Sequence, residues 1–198
     1  MPYSDSHNVF WFHPMRTASR ATDKILEYFE FSDIRTHSYI QNPIHSNYIF
    51  VSNVRNPYSR IISIYNLRRY ENNEINSNFD VWVGQMISSL KSRREVNLLY
   101  EFSLGKIFYE RNKKPDFLVR VENFEEDLMK IDFIKDNYDE KLDDIFEINV
   151  RTNQYINKSL PNWKDMYNQN LADMVYEHCE KDFIYFNYDK NSWKNGSS

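Results

Sequence analysis

Glycine is almost missing from this chain. Three in 198 residues, Gly84, Gly105 and Gly196, leave no place near the N-terminus for a GxxxxGK[ST] loop, whose backbone needs glycine to wrap a phosphate chain. That disfavours an ATPase or GTPase of the Walker type. Cysteine is scarcer still: Cys179 alone makes no internal disulfide, which suits a reducing compartment and argues against a secreted disulfide scaffold. No Cys/His pairs stand at ligand spacing, so no metal site is expected. Long apolar runs are also lacking. The stretch Ile61–Tyr65 is broken by Ser63, and a membrane-crossing helix needs about 20 apolar residues. The opening MPYSDSHNVF does not have the basic-then-apolar order of a signal peptide. These absences together predict a cytoplasmic protein with no membrane partner.

What is abundant is aromatic bulk: 14 Phe, 15 Tyr and 4 Trp, enough to close a core at this length and to exclude wholesale disorder. A single domain over residues 1–190 is expected, with 191–198 as a frayed tail. The net charge of −4 is unevenly spread. Residues 1–70 hold eight Lys/Arg against five Asp/Glu, while the remainder holds 17 against 24. An acidic chain is a poor general binder of nucleic acid, whose affinity comes from neutralising phosphates over a broad basic face. A compact polyanion held by the first 70 residues fits the local positive excess; chance clustering on a solvated surface would look the same.

The hydrophobic pattern alternates between strand and helix. Val9 to His13 (VFWFH) reads as a buried strand stopped by Pro14. Thr22, Ile25, Leu26 and Phe29 then fall on one helical face. Tyr48 to Val54 is a second strand, with Asn56 as N-cap and Pro57 at the first helical position of a helix running to about residue 70. Asp116 to Val121 is a third strand, before the acidic helix start NFEED. Further helices are predicted at 79–92, 95–111 and 163–181. Strands alternating with helices give an α/β fold, a parallel sheet in a three-layer arrangement flanked by helices. Ligands of such sheets sit at the carboxyl ends of the strands, which sets the loop HPMRTAS beside NVRNPYS.

In the first loop, Arg16, Thr17, Ala18, Ser19, Arg20, Ala21 and Thr22 enter a helix whose first N–H groups and dipole form a ready anion site. Small Ala18 and Ala21 let an oxyanion approach the backbone. An ordinary helix start explains the segment equally well. In the second, Arg55 leaves the strand and Ser63 lies in the following helix on the face of Ser59 and Arg60. One phosphate meets a guanidinium and a hydroxyl there, arginine's planar fork being suited to it; Asn-Pro capping plus a surface arginine is the plainer account.

Taken together, HPMRTASRAT, VRNPYSRIISIY, LVRVENFEEDL (118–128) and WKDMYNQNLADMVYEHCEKDFIYFNY (163–188) resemble, in the expected order, segments of the sulfotransferases that use 3′-phosphoadenosine 5′-phosphosulfate (PAPS). The likeness is greatest to the carbohydrate-type members. It implies the P-loop-like sulfotransferase fold and transfer of a sulfuryl group from PAPS to a hydroxyl, less readily an amine, of a small-molecule or glycan acceptor, leaving PAP. It implies that residues 16–22 bind the 5′-phosphosulfate, with Arg16 where many members carry lysine and stabilising the leaving group, and that Arg55 and Ser63 bind the 3′-phosphate. Thr36-His37-Ser38-Tyr39-Ile40 is similar to the segment that supplies the base in some carbohydrate sulfotransferases, so His37 is the candidate base, with His45 or a carboxylate as alternatives. Lys158, in a segment similar to a nucleotide-covering loop, is a candidate phosphate contact or a solvated lysine. His7 is expected to fray with the N-terminus. Arg68 and Arg69 either face an anionic acceptor or are exposed helix charge. A nucleotide or metabolite kinase on a related fold, and a module that binds PAP without chemistry, are the alternative functions.

Overall fold

The computed structural model describes residues 1–34, 47–71, 73–92, 103–105, 108, 114–147 and 162–194. In chain order its elements are β1 (Tyr3–Ser4), β2 (Val9–Phe12), α1 (Ser19–Tyr28), β3 (Ile49–Val54), α2 (Pro57–Asn66), a π-helical turn (Leu67–Glu71), α3 (Phe79–Ser92), β4 (Phe117–Arg120), α4 (Phe124–Leu128), α5 (Asp132–Lys135), a 3₁₀ turn (Trp163–Met166) and α6 (Gln169–Phe186). The chain divides into two compact units, Met1–Arg55 with Pro115–Lys158, and Asn56–Lys114 with Ser159–Ser198.

The first unit is built on a sheet in the order β1-β2-β3-β4. β2, β3 and β4 run parallel, with Phe12 level with Ser52 and Val54 level with Arg120, as the three apolar runs predict. One face carries Val9, Trp11, Val51 and Val119, packed on Ala21, Ile25 and Leu26 of α1 and on Phe124 and Leu128 of α4. On the opposite face Phe10, Phe12, Phe50 and Val54 are also buried. Burial on both faces is why VFWF reads as a continuous apolar run rather than an alternation.

Two expectations about the termini are corrected. β1 adds an antiparallel edge, Tyr3 pairing with Phe10 and Ser4 with Val9. His7 does not fray: its ring stacks on Phe133 at 4.4 Å between centroids and meets Phe29 edge-on at 5.8 Å. The partners lie far along the chain, so no local pattern announces them. At the other end, Ser192 Oγ accepts from Asn56 Nδ2 at 2.8 Å and Trp193 packs against the core of its unit, so residues 192 and 193 are anchored; 195–198 lie outside the described residues.

In the second unit, Asn56 caps α2 by accepting from the Tyr58 N–H, with Pro57 at the first helical position, as expected. All ten residues of α2 are buried. Tyr58 is the centre of the core. Its ring lies 5.0 Å from both Tyr167 and Phe183, its hydroxyl donates to the Lys190 carbonyl at 2.7 Å, and its own carbonyl accepts from Tyr167 at 3.0 Å. The predicted 163–181 helix is really a 3₁₀ turn followed by α6. Tyr167 is extended (φ −103°, ψ 140°), and the Asn168 side chain accepts from the Leu171 N–H as a fresh N-cap. The apolar stripe survives the break: Tyr167, Leu171 and Val175 are buried, with Trp163, Met166 and Met174 against them. Most of the predicted 95–111 helix lies outside the described residues. Where the chain is described, Gly105 abuts the α6 backbone so closely that a Cβ would fall 2.5 Å from the Lys181 carbonyl carbon, a contact that only glycine allows.

Candidate functional site

The segment between β2 and α1 makes a tight, internally bonded turn. The Pro14 carbonyl accepts from the Thr17 N–H at 3.3 Å, the Thr17 hydroxyl at 2.5 Å and the Ser19 hydroxyl at 3.0 Å. Arg16 (φ 69°) and Ala18 (φ 62°) both adopt the left-handed conformation. For an L-residue that conformation costs about 1–2 kcal/mol, and such strain collects at ligand-binding loops. The bend that glycines make in a Walker loop is thus made here by two residues with side chains. Glycine content alone could not show this.

α1 begins at Ser19 with no side chain capping its N-terminus and no acidic residue in its first turn. The first backbone bond of this ladder runs from the Thr22 N–H to the Ala18 carbonyl at 3.0 Å. The N–H groups of Ser19, Arg20 and Ala21 precede that bond, at the positive end of the helix dipole. Thr17, Ala21 and Thr22 are buried, Arg16, Ala18 and Ser19 are half-buried, and Arg20 is exposed.

Beneath the loop sits a residue that the sequence reading passed over. Asn53 of β3 is fully buried. Its Oδ1 accepts from Trp11 Nε1 at 2.7 Å, and its Nδ2 donates to the Thr17 carbonyl at 2.7 Å and to Thr22 Oγ1 at 2.6 Å. Thr22 Oγ1 in turn donates to the Ala18 carbonyl at 3.1 Å. A buried asparagine in a predicted central strand was the available signal, since such a residue must find hydrogen-bond partners.

Arg55 follows β3, half-buried, and its Nη1 donates to the Arg16 carbonyl at 3.5 Å. The two loops therefore meet within the first unit, as their positions at the ends of adjacent parallel strands require. His13, fully buried at the mouth of the same turn, holds Nδ1 3.6 Å from Asp23 Oδ1 on α1.

In the second unit, Ser63 is buried in α2. Ser59 donates to the Asn56 carbonyl at 3.2 Å. Arg60 is only 2% exposed, and its positive charge favours the ionised forms of Asp182 and Cys179. Burial outweighs that help: it raises the Cys179 thiol well above its ordinary value and pushes the Asp182 carboxyl up to about 6. Asp182 accepts from the Ser103 hydroxyl at 2.7 Å, the Leu104 N–H at 3.1 Å and the Gly105 N–H at 2.5 Å. These bonds tie 103–105 to α6.

Arg69 is committed to its own unit, donating to the Tyr65 hydroxyl at 2.6 Å and to the Ser77 carbonyl. Arg68 lies 4.0 Å from Glu74 and, with Glu74, Asn76, Ser77, Trp82 and Gln85, lines a groove of about 450 Å³. Glu122 is exposed at the start of a 3₁₀ turn. His37, His45 and Lys158 lie outside the described residues. Among the described residues, no cluster of His, Cys, Asp and Glu could hold a metal ion, and no helix is long and apolar enough to cross a membrane.

No curated protein and no solved structure matches this chain. The sequence profile of the Sulfotransferase family does, over residues 11–189.

Proposed function

Because the chain belongs to the sulfotransferase family, whose enzymes transfer sulfate from PAPS and release PAP, we propose that it sulfates a hydroxyl of a carbohydrate acceptor by in-line displacement. The observation that carries the reading is the strained, glycine-free turn at Arg16 and Ala18 leading into the uncapped N-terminus of α1. That arrangement suits a phosphosulfate: backbone N–H groups and an unneutralised dipole favour an anion there. The donor carries about four negative charges near neutrality, in keeping with the local positive excess of residues 1–70.

The roles follow from the chemistry each group can perform. Within residues 17–22, the backbone N–H groups of Ala18, Ser19, Arg20 and Ala21 bind the 5′-phosphosulfate, while Thr17, Ser19 and Thr22, whose hydroxyls donate to the Pro14 and Ala18 carbonyls, hold the loop in shape around it. Arg16 stabilises the charge that develops on the oxygen leaving sulfur, as fixed donors do best when they need no reorganisation. Arg55 and Ser63, eight residues apart, bind the 3′-phosphate; Lys158 adds a further charge to the nucleotide. His37 takes the acceptor proton as the new oxygen–sulfur bond forms and the bond from sulfur to the 5′-phosphate oxygen breaks. Sulfuryl transfer, like phosphoryl transfer, asks mainly for alignment and charge stabilisation, so no metal is required. The lone Cys179 suits a reducing compartment such as the cytoplasm for the protein.

A melting-temperature titration tests the reading. PAP at 100 times its dissociation constant is expected to add about 2.7 kcal/mol of stability, with ATP adding far less. A larger shift with ATP would favour a kinase. Binding of PAP without sulfate transfer to any glycan or small-molecule alcohol would leave a non-catalytic module.

A further inference from the structure

The donor loop is held from below by one side chain, and the direction of that hold matters. Across a trans peptide the carbonyl and the following N–H point to opposite sides. The Thr17 carbonyl is drawn down to Asn53 Nδ2 at 2.7 Å, which turns the Ala18 N–H away from the sheet. The Ala18 carbonyl is drawn along the helix by the Thr22 N–H at 3.0 Å and the Thr22 hydroxyl at 3.1 Å, which turns the Ser19 N–H outward. Asn53 Nδ2 also holds that hydroxyl, at 2.6 Å. Its carboxamide cannot flip without cost, because Oδ1 is committed to Trp11 Nε1 at 2.7 Å. The first of these peptide orientations thus rests on a buried amide whose two ends are fixed, and the second, set by the helix backbone, is reinforced by a hydroxyl that the same amide holds.

We propose that Asn53 is a positioning residue for the sulfuryl donor: its carboxamide nitrogen, by holding the Thr17 carbonyl and the Thr22 hydroxyl, presents the Ala18 and Ser19 N–H groups to the 5′-phosphosulfate. The inference rests on the donor reading above and extends it to a residue that touches no ligand. Without the carboxamide, the Thr17 carbonyl loses its buried donor and the peptide that joins Thr17 to left-handed Ala18 is released to rotate.

The test compares two probes on the full chain by calorimetry: PAP, which has a 5′-phosphate, and adenosine 3′-monophosphate, which does not. Asn53→Ala is expected to weaken PAP about tenfold or more, the effect of one lost charge-assisted contact, while changing adenosine 3′-monophosphate by no more than about twofold. Ile134→Ala, a core truncation on α5 in the same unit, is expected to lower the melting temperature yet leave both affinities within about twofold. If Asn53→Ala does not fold, the isosteric Asn53→Asp serves. Its carboxylate repels the Thr17 carbonyl, and protonation restores one donor, so its PAP affinity relative to the parent should recover as pH falls. Unchanged PAP affinity in these variants, or equal losses for the two probes, overturns the role of Asn53. Failure of the parent chain to bind PAP at all overturns the donor reading instead.

Discussion

In the proposed mechanism Arg16 carries the heaviest chemical load for one side chain. Its backbone is strained and its carbonyl is bonded to Arg55, so the guanidinium leaves from a fixed root, and a fixed donor is what charge stabilisation in a barrier requires. Arg16→Ala is expected to slow single-turnover transfer at least about a hundredfold, a loss of about 3–4 kcal/mol; near-normal rates would remove Arg16 from the chemistry. Arg16→Lys, which keeps the charge and loses the fork, should fall between. His37→Ala should lower the rate by about 10² or more through loss of the base, and it should leave PAP affinity intact. Full activity in that variant would return the role to His45 or a carboxylate. Arg16 and His37 were proposed on residue types and positions that are local. Asn53 was not legible in that way, since its partners Trp11, Thr17 and Thr22 lie 31 to 42 residues away in sequence.

The turn into α1 and the break before α6 show how short stretches set the geometry that side chains then use. Ala18 sits at φ 62°, ψ 29°, where a Cβ is penalised and glycine is not. Ala18→Gly is therefore expected to raise the melting temperature by about 1–3 °C, the net of relieved strain and added freedom in the unfolded chain. Ala18→Val, β-branched at the same backbone, should lower it and weaken PAP. A drop in melting temperature for the glycine variant would mean that the strain is not there. α2 was foreseen closely because Asn-Pro is a strong local start signal. The start of α6 was misplaced because the 3.6-residue stripe continues through Tyr167. Only the Asn168 side chain, capping Leu171, marks where the chain leaves and re-enters the helix.

Stability as a function of pH is decided by groups such as Asp182 that tertiary burial brings together with their partners. Its folded value, about 6, lies above the ordinary 3.8, so the folded chain binds a proton more tightly than the unfolded one. The contribution to stability is then full below 3.8 and is lost as pH rises through about 6, an effect of roughly 3 kcal/mol at 1.36 kcal/mol per unit. Asp182→Asn should flatten that part of the pH–stability curve, read as melting temperature against pH. A curve unchanged by the substitution would show that the carboxylate stays ionised through its Ser103, Leu104 and Gly105 bonds.

The amino-acid order by itself determined the three strands, the strand-to-helix turn after β2, the Arg55–Ser63 spacing and the likeness to the family, because apolar periodicity, proline and capping residues act over a few neighbours. Tertiary structure alone decided which residues take left-handed backbone in place of glycine, that His7 is pinned against Phe133, that Arg69 is bonded within its own unit, and that a buried amide on β3 holds the loop. Each of these depends on groups brought together across long stretches of chain, where burial makes every unsatisfied polar atom costly and so forces a partner that no local pattern can name.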